Sequence, residues 1–491
     1  PLLMGASAKT SEYLRLESRS GRVCVATKLA HGVGSMPGNY KDFVFSTFLL
    51  LYYSQILGLS ASWVSLVLAI TLIIDAVTDP LMGAISDNFK PRLFPALGRR
   101  HLFMYLAILP LGLSLYCLFS PPNWESQQAL LAWLCFWAVA ARLAFTLYVV
   151  PWAALSAKLT DDYEERTSIV VYRVAMAWIG GIAFQVFVYT YVMPDVGESY
   201  GQLDVNNYSV LAFWLAGLVM LWAAITTHFT RNQIPYLRQP TDPAPLDLQL
   251  FLTEVRLAFA SRNFRLFFAV SLTFFATAGT GAVFDIYMNT YFWELRSEDL
   301  RWLGVSITFA FIALSIAGPL QSRFSKRDIA GVCLVFLIIA LMTKVSFRFT
   351  DIWPDNGDAK LLPLLVLFTC IQMFFVTLFS VMVVAMLPDM VDEQQLLVGR
   401  RQEGVFASAF SFASKTTAGF GLLVGGLLLE HVIAFPTKAV PGEVPADTLI
   451  TLGVVDGLLV PCLFFLPVYL LSRYSLSRDK LAAIQAQLPN Q

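Results

Sequence analysis

The stretch Ile74–Asp87 reads I-D-A-V-T-D-P-L-M-G-A-I-S-D and lies inside a long apolar run that begins near Trp63. Asp75 and Asp79 are four residues apart, so on a helix they share one face. A carboxylate at bilayer depth costs roughly 2.5–3.5 kcal/mol on insertion scales, and such residues usually mark an ion or substrate pathway. We therefore predict that Asp75 and Asp79 hold a coupling cation, Na⁺ or H⁺. The alternative is a structural ion pair with basic residues on neighbouring helices.

The composition of the chain is typical of a membrane protein. Of its 491 residues, 57% are hydrophobic and 14% are charged, whereas soluble proteins carry about 25% charged residues. The formal net charge is zero, which argues against nucleic acid as a partner. The six cysteines are scattered, without the spacing of a metal site or a disulfide framework, and no cofactor is expected. The polar N-terminal residues do not have the pattern of a cleavable signal peptide.

Twelve apolar stretches are long enough to cross a bilayer, which takes about 20 residues. Their approximate bounds are 36–58, 62–86, 100–120, 129–156, 167–193, 207–230, 264–293, 302–322, 328–348, 361–388, 403–431 and 449–473. The fold class predicted is an all-α membrane protein with 12 transmembrane helices. The expected organisation is a cytoplasmic N-terminal segment 1–32, a six-helix bundle 33–230, a Pro-rich middle loop with an amphipathic helix 231–262, a second six-helix bundle 263–474 and a cytoplasmic tail 475–491.

The distribution of Lys and Arg predicts the orientation of the chain in the membrane. Most of the basic residues lie in the segments on the same side as the N-terminus, and the opposite loops hold only Arg296, Arg301, Arg348, Lys360 and Lys438. By the positive-inside rule, both ends are expected in the cytoplasm.

Several charged residues remain within the predicted membrane spans. In the N-terminal half they are Lys41, Arg142 and Arg173 against Asp42, Asp75 and Asp79. Because buried charge is retained only when it is paired or bound to an ion, these residues are expected to form one network. Lys41 and Asp42 are adjacent on their helix and point differently, so each is expected to need a separate partner. Arg142 either presents its fork to an anionic substrate or pairs with a carboxylate of the first or second helix.

The C-terminal half offers polar groups of another kind. Asp285 and Asn289 are one turn apart on the predicted seventh helix, with Tyr287 and Tyr291 between and beside them. Their side chains can donate and accept hydrogen bonds, so they are expected to contact a polyol substrate.

Charged helix ends suggest a clasp between the helices during transport. Gly83-x-x-x-Asp87 precedes the loop that ends in Gly98-Arg99-Arg100. Asp389, Arg400 and Arg401 are further candidates for the clasp, in a stretch after the tenth helix (385–404) that echoes the stretch after the fourth (154–167). An acidic helix end and a basic pair across the loop could form a contact that breaks when the halves rock. The simpler interpretation is that these charges only set the topology.

The sequence resembles a known transporter family. The run D-A-V-T-D-P-L-M-G-A-I-S-D with G-R-R-H-L-F after it, V-P-W-A-A-L (150–155), L-T-D-D-Y-E-E-R-T (159–167) and G-R-R-Q-E-G (399–404) resemble the glycoside–pentoside–hexuronide:cation symporters of the major facilitator superfamily. The resemblance covers roughly residues 27–480. It implies the major facilitator fold of two six-helix bundles, transport rather than enzyme activity, and a bacterial inner membrane.

The resemblance also implies roles for single residues on the cation side. Asp75 and Asp79 match the paired carboxylates of the family that bind Na⁺ or H⁺. Thr146 matches a threonine of the fourth helix that contributes to that site, and Lys415 matches a lysine of the eleventh helix close to it. The cation-binding motif of the family is therefore complete in this sequence.

On the sugar side the match is incomplete. Arg173 matches the family arginine near the sugar, but the fourth-helix aspartate that holds sugar hydroxyls falls at Val149. The first-helix aspartate aligns with Asn39, or with Asp42 if a gap is allowed, and the aromatic residue after the helix-4 proline is Trp152, shifted by one position. The family's galactoside site is therefore altered in this sequence.

Together these features predict a monomeric, cation-coupled symporter that works by alternating access. The expected substrate is a glycoside or sugar derivative, and Arg142 favours an anionic one. A lysolipid or other amphiphile is the alternative, because Val149 implies an apolar cavity and the family has lysophospholipid symporters among its distant relatives. A non-transporting sensor or a membrane-embedded enzyme is disfavoured, because no H-E-x-x-H, G-x-S-x-G or metal-ligand cluster is present.

Overall fold

The structure is a computed structural model, and it describes residues 22–89, 97–156, 159–160, 162–236, 253, 256–350, 352–398, 403–476, 480–481, 484 and 487. This part of the chain is almost entirely helical. Eleven of its helices are long and apolar enough to cross a membrane. The prediction of an all-helical membrane protein is confirmed.

Twelve helical spans follow a leading helix, Val25–Val33. The first span, α1, runs over Met36–Val44 and continues into two π-helical turns, Phe45–Leu49 and Tyr52–Ile56. The others are α2 Ala61–Asn88, α3 Arg99–Leu118, α4 Gln127–Ser156, α5 Tyr163–Phe187, α6 Val205–Thr230, α7 Arg262–Tyr287, α8 Ser297–Arg323, α9 Lys326–Phe349, α10 Leu361–Val398, α11 Glu403–Leu427 and α12 Ala446–Ser472.

The span that falls outside the eleven apolar helices is α1. It corresponds to the predicted span 36–58, but it carries Asn39, Lys41 and Asp42 in its first two turns, and these lower its mean hydropathy. A polar helix is stable in a membrane only when its polar side chains face protein or water. Lys41 is buried and Asn39 is half-buried inside the bundle, which is consistent with this requirement.

Four helices end in the same unusual way, in a π-helical turn closed by a bond from residue i to residue i−5. These bonds run from Leu57 to Tyr52 after α1, from Met193 to Val188 after α5, from Trp293 to Met288 after α7 and from Ile433 to Leu428 after α11, at 2.8–3.0 Å. The helices α1 and α7, and likewise α5 and α11, hold the same place in their respective halves. The repeated ending therefore supports a fold built from two similar six-helix halves.

Helix α11 packs tightly between α2 of the first half and α7 of its own half. A Cβ on Gly421 would lie 2.1 Å from the carbonyl oxygen of Ala276 in α7, and a Cβ on Gly426 would lie 2.0 Å from the hydroxyl of Ser65 in α2. Such contacts leave no room for any side chain, so glycine is required at both positions. They bring helices of the two halves into direct backbone contact.

Hydrogen bonds between the halves concentrate at one end of the bundle, which we name the closed end. It comprises the loops after α1, α5, α7 and α11. Gln202 donates to the carbonyl of Leu295 at 3.0 Å, Arg296 donates to that of Gly197 at 3.0 Å, and Gln55 accepts from the amide of Ala439 at 3.2 Å. These loops lie on the side that the positive-inside rule assigns to the exterior.

The predicted middle loop 231–262 is described only at its edges. Residues Arg231–Tyr236 form a short 3₁₀ helix directly after α6. The predicted amphipathic helix and the Pro-rich segment fall largely on residues 237–252, which lie outside the described part of the chain. The boundaries of the five predicted segments stay predictions.

Candidate functional site

Two helices of the first half face each other through matched pairs of polar residues. Arg142 and Thr146 are one turn apart on α4, as Asp75 and Asp79 are on α2. Arg142 Nη1 lies 2.9 Å from Asp75 Oδ2, and Thr146 Oγ1 lies 2.9 Å from Asp79 Oδ1 and 3.4 Å from Asp75 Oδ1. The equal spacing on both helices brings all four side chains together.

A residue of the second half completes this cluster. Lys415 of α11 donates a hydrogen bond from its ammonium group to Asp79 Oδ2. Lys415, Gly419 and Gly426 lie at helical spacing on the face of α11 that packs against α2. Because the two glycines let the helices touch, the Lys415 side chain is long enough to reach Asp79. Between described residues, this is the only ion pair that joins the two halves.

The adjacent pair on α1 differs from the prediction that each member needs a separate partner. Lys41 Nζ lies 2.6 Å from Asp42 Oδ1, so the two side chains bond each other. The ammonium group also lies 4.3 Å from the centroid of the Phe145 ring and 5.6 Å from that of Phe45. The four-carbon stem of the lysine is flexible enough to turn back to its neighbour over these apolar rings. Lys41 is 2% exposed, whereas the Asp42 side chain is 66% exposed.

Taken together with the Lys41–Asp42 pair of α1, the cluster contains as many positive as negative side chains. Each of the three carboxylates has one basic partner, in the pairs Asp42–Lys41, Asp75–Arg142 and Asp79–Lys415. A buried charge without a partner is strongly destabilising, and the pairing avoids that cost. A cation that enters this site must displace one of these three basic groups or bind beside it.

Arg173 of α5 lies at the edge of an aromatic group between α4 and the leading helix. Its guanidinium carbon is 5.8 Å from the centroid of the Trp152 ring. Trp152 stacks on His31 with centroids 5.2 Å apart, and its indole nitrogen donates to the His31 carbonyl at 3.0 Å. Within the described residues, Arg173 has no ion-pair partner, in contrast to Arg142. Of the two arginines, Arg173 has the guanidinium available for an anionic ligand.

His31 lies buried beside this arginine, in the leading helix outside the twelve spans. Both of its ring nitrogens are buried without a hydrogen-bond partner among the described residues. Burial, together with the nearby charges of Arg173 and His101, lowers the pKa of His31 from 6.5 to about 3. The imidazole is therefore neutral at physiological pH. Sequence reasoning did not identify this residue, because a histidine in a short polar segment has no distinctive pattern.

Two further predicted substrate residues are engaged within the protein. Asn39 donates from its side-chain amide to the carbonyl of Ala177 in α5 at 2.6 Å. Val149 packs against the apolar cluster that contains Tyr148 and Trp152. Asn39 thus ties α1 to α5, and Val149 contributes to an apolar surface.

On α7, Asp285 and Asn289 contact each other as their one-turn spacing predicts. Asn289 Nδ2 lies 3.4 Å from Asp285 Oδ1, and the Asp285 side chain is exposed whereas Asn289 is buried. Asp285 is a charged neighbour of Lys344 in α9, whose ammonium group lies 5.9 Å from the centroid of the Trp293 ring. This cluster is separate from the α2–α4 cluster and offers hydrogen-bonding groups from the second half.

Those predicted clasp residues that the structure describes lie at the end opposite the closed end. Arg100 is buried and donates to the carbonyl of Ala154 at the end of α4, at 2.6 Å. Asp389 pairs with Lys326 of α9 at 2.7 Å, a partner that sequence reasoning did not identify.

For the other predicted clasp residues, the structure gives the position of the residue or does not describe its side chain. A Cβ added to Gly83 would have one neighbour within 4 Å, a side-chain carbon of Val150 at 3.9 Å. Arg99 is described as the first residue of α3. The side chain of Asp87, and Arg400 and Arg401 entirely, lie outside the described residues.

Comparisons with known proteins agree with this architecture. The model of a family described as MFS/sugar transport protein matches residues 30–478. The "Putative glycoside/cation symporter YagG" of Escherichia coli (strain K12) is 24% identical over 467 residues, which cover 94% of each chain. The "Sodium-dependent lysophosphatidylcholine symporter 1" of Gallus gallus is 23% identical over 497 residues, covering 95% of this chain and 89% of that relative.

A solved structure shares the fold at low sequence identity. It is the inward open conformation of the xylose transporter XylE from E. coli, with a TM-score of 0.58 and 12% identity, covering 95% of this chain and 98% of that one. At this identity the similarity concerns the fold alone. It agrees with a two-bundle arrangement of twelve helices.

Proposed function

The chain belongs to the MFS/sugar transport family, and we propose that it is a cation-coupled symporter that moves a glycoside or sugar derivative by alternating access. The observation that carries the proposal is the position of Asp79. Its carboxylate contacts Thr146 of its own half and Lys415 of the other half. A cation that changes these contacts changes how the halves hold each other, which is the requirement for coupling.

The coupling cation, Na⁺ or H⁺, is proposed to act at Asp75, Asp79 and Thr146. Lys415 is the basic group that the cation displaces from Asp79. The side chains of Asp79 and Lys415 are 24% and 30% exposed, so an ion from solution can reach this pair. When the cation binds, Lys415 is released from Asp79 and the ion pair between the halves is lost. The halves are then free to rearrange around the substrate.

The substrate is proposed to bind between the halves, with Arg173 and Trp152 on one side and Asp285 and Asn289 on the other. The planar guanidinium of Arg173 suits a carboxylate, sulfonate or phosphate group. Trp152 is buried and stacks on His31, so its role in this proposal is to hold Arg173 in position beside its ring. The exposed carboxylate of Asp42 can accept hydrogen bonds from hydroxyl groups. An anionic sugar derivative matches this set best.

The closed end supports an assignment of the conformational state. It lies on the side that the distribution of Lys and Arg assigns to the exterior, so we assign the structure to the inward-facing state. In this proposal both chain ends are cytoplasmic, the protein works as a monomer in a bacterial inner membrane, and it carries out no enzymatic reaction.

A ligand screen followed by uptake measurements tests the proposal. The unfolding temperature of the purified protein is measured with neutral glycosides, hexuronides, sulfonated sugars and lysophospholipids, because a ligand at 100 times its Kd stabilises by about 2.7 kcal/mol. The stabilising compound is then offered to sealed proteoliposomes under a Na⁺ or H⁺ gradient. Concentrative uptake that is lost in Asp79→Asn and kept in the exposed control Asp355→Asn is expected. Intact accumulation in Asp79→Asn overturns the coupling site.

The second candidate substrate is a lysolipid or other amphiphile. Val149 is apolar and packs on an apolar cluster where the resembled family has a sugar-binding carboxylate, and one relative is named as a lysophosphatidylcholine symporter. In the screen, stabilisation by lysophospholipid alone would favour this candidate over the sugar derivative.

A further inference from the structure

Arg142 and Asp75 form a buried ion pair inside the first half. Their side chains are 10% and 6% exposed, and one guanidinium nitrogen lies 2.9 Å from Asp75 Oδ2. The guanidinium carbon also lies 4.9 Å from the centroid of the Phe45 ring in α1. Removing one partner from such a pair is strongly unfavourable because the other charge stays buried. Arg142 and Asp75 are therefore expected to stay paired throughout the transport cycle.

The two carboxylates of the site consequently differ. Asp79 is partly exposed and pairs with Lys415 of the other half, whose side chain can withdraw when the halves move. Asp75 pairs with Arg142, and both belong to helices of the same half, α2 and α4. One carboxylate is available to a transported cation, and the other is already neutralised by a cation fixed to the protein.

A sodium ion at this site would have to share it with the guanidinium. Na⁺ between Asp75 and Asp79 would lie beside the charge of Arg142, because that guanidinium is bonded to Asp75. Two unit charges about 6 Å apart repel each other enough to weaken binding roughly 100-fold at an effective dielectric constant of about 20. Oδ2 of Asp75 is also occupied by its bond to the guanidinium, which leaves fewer oxygen ligands for the ion.

We propose that Arg142 is a tethered cation that makes the carboxylate pair unfavourable for Na⁺ and thereby determines the cation selectivity of this symporter. The inference rests on the proposed function, because it concerns the coupling site of that function. It assigns Arg142 to the coupling site rather than to the substrate, and it treats Asp75 as the partner that holds Arg142 in place. Sodium is then a poor coupling ion for this chain.

Sodium binding to the purified, full-length protein tests this role directly. The unfolding temperature is measured in NaCl and in choline chloride at equal concentration, so that ionic strength is matched. The wild-type protein is expected to unfold at the same temperature in both salts. Arg142→Gln is expected to gain a Na⁺-specific stabilisation, with Na⁺ affinity roughly 100-fold above that of the wild type, because Na⁺ can then neutralise Asp75.

Three control variants separate the charge of Arg142 from its packing. Arg142→Lys keeps the positive charge and is expected to stay insensitive to Na⁺. The double variant Asp75→Asn with Arg142→Gln removes both members of the pair and is expected to fold without gaining the Na⁺ effect. Arg348→Gln makes the same chemical change at a position next to Asp355, away from the site, and is expected to behave as the wild type.

Several outcomes would overturn the proposal. One is a wild-type protein that Na⁺ stabilises as strongly as it stabilises Arg142→Gln. Another is an Arg142→Gln variant that fails to fold in NaCl and choline chloride alike while the double variant folds, since Na⁺ then does not replace the guanidinium. A variant that survives purification only in Na⁺ supports the proposal.

Uptake measurements distinguish this failure from a failure of the symport proposal. Wild-type proteoliposomes are expected to accumulate the screened substrate under a pH gradient whether or not Na⁺ is present. Accumulation that requires a Na⁺ gradient overturns the role of Arg142 and leaves symport standing. If no gradient drives accumulation of any compound in the screen, the symport proposal fails, whereas the Na⁺ titration still reports on Arg142.

Discussion

The carboxylate of Glu430 accepts a hydrogen bond of 2.5 Å from the hydroxyl of Ser60. It also accepts one of 2.8 Å from the amide of Ser62, so a residue at the end of α11 caps the start of α2 in the other half. Asp195, after α5, does the same for α8, accepting from the amides of Ser297 and Glu298 at 3.3 and 3.1 Å. The two contacts are related by exchange of the halves. Each joins a carboxylate to the partial positive charge of a helix N-terminus.

We predict that these caps stabilise the closed end. Glu430→Gln and Asp195→Asn are each expected to destabilise the closed end by about 1 kcal/mol. The reason is that a neutral amide interacts less with the helix dipole and with the free backbone amides of the helix N-terminus. Spin-label distances across the closed end are expected to show a larger open population in each variant. The exposed loop residue Glu443 provides the control, since Glu443→Gln should leave the distances unchanged; equal distances in all variants would contradict the role of the caps.

Arg173 is expected to set the preference for anionic substrates. Arg173→Gln should weaken binding of an anionic sugar by about 1.5–3 kcal/mol, the usual range for a hydrogen bond to a charged group, and affect a neutral glycoside much less. Arg173→Lys should recover only part of the loss, because an ammonium group lacks the planar fork that stacks near Trp152. Titration calorimetry with both ligand types measures the difference. Equal losses for the two ligands would show that Arg173 acts only through the structure.

The close approach of α11 and α2 is expected to depend on Gly426. A Cβ at this position would lie 2.0 Å from Ser65 Oγ and 3.0 Å from the carbonyl of Ala61, so Gly426→Ala must push the helices apart, with a loss of about 1–3 kcal/mol in stability. The control is Gly217→Ala in α6, where nothing lies within 4 Å and alanine favours the helix. Thermal unfolding of both variants measures the loss. If the two variants unfold alike, α2 and α11 do not require the glycine.

Acidification is expected to destabilise the protein through His31. Its pKa is lowered from 6.5 to about 3 in the folded state, so between these values the unfolded chain binds more protons than the folded one. Stability contributed by the neutral imidazole is therefore complete above pH 6.5 and falls by about 1.4 kcal/mol per pH unit below it, down to about pH 3. His31→Phe removes the titrating group and should flatten this slope between pH 7 and 5.5.

The exposed His228 provides the matched control for this measurement. His228→Phe makes the same substitution at an exposed position near the end of α6 and is expected to keep the wild-type slope of stability against pH. A slope that persists in His31→Phe would mean that the acid sensitivity arises from other groups.

The sequence predicted which side chains share a helix face, but it did not predict which of these side chains bond each other. The i, i+4 spacing places Asp75 and Asp79 on one face of α2 whatever surrounds that helix, and the structure keeps them there. For Arg142, the sequence was compatible with an anionic substrate or with a carboxylate of a neighbouring helix, and in the structure it bonds Asp75. The spacing of residues along a helix fixes which side chains share a face, but the packing of helices decides which faces meet.

Lys41 shows the limit of reasoning from helix geometry. Neighbouring positions on a helix point in different directions, which predicts separate partners for Lys41 and Asp42. The structure pairs them, because the long lysine side chain bends over the Phe145 ring toward its neighbour. Helix geometry places the Cβ atoms, whereas the ends of long side chains follow the environment.

The sequence by itself determined that this is a helical membrane protein with paired carboxylates on its second span, because apolar length and helical spacing are local properties of the chain. The family resemblance placed Lys415 close to the carboxylate pair, and only the tertiary structure decided that it bonds Asp79 in particular. Only the tertiary structure, too, decided that Glu430 and Asp195 cap helices of the opposite halves. These contacts join residues more than a hundred positions apart along the chain. These contacts depend on how closely two helices approach at glycine positions and on how the two halves are arranged. The spacing of residues along a single helix determines neither the approach of the helices nor the arrangement of the halves.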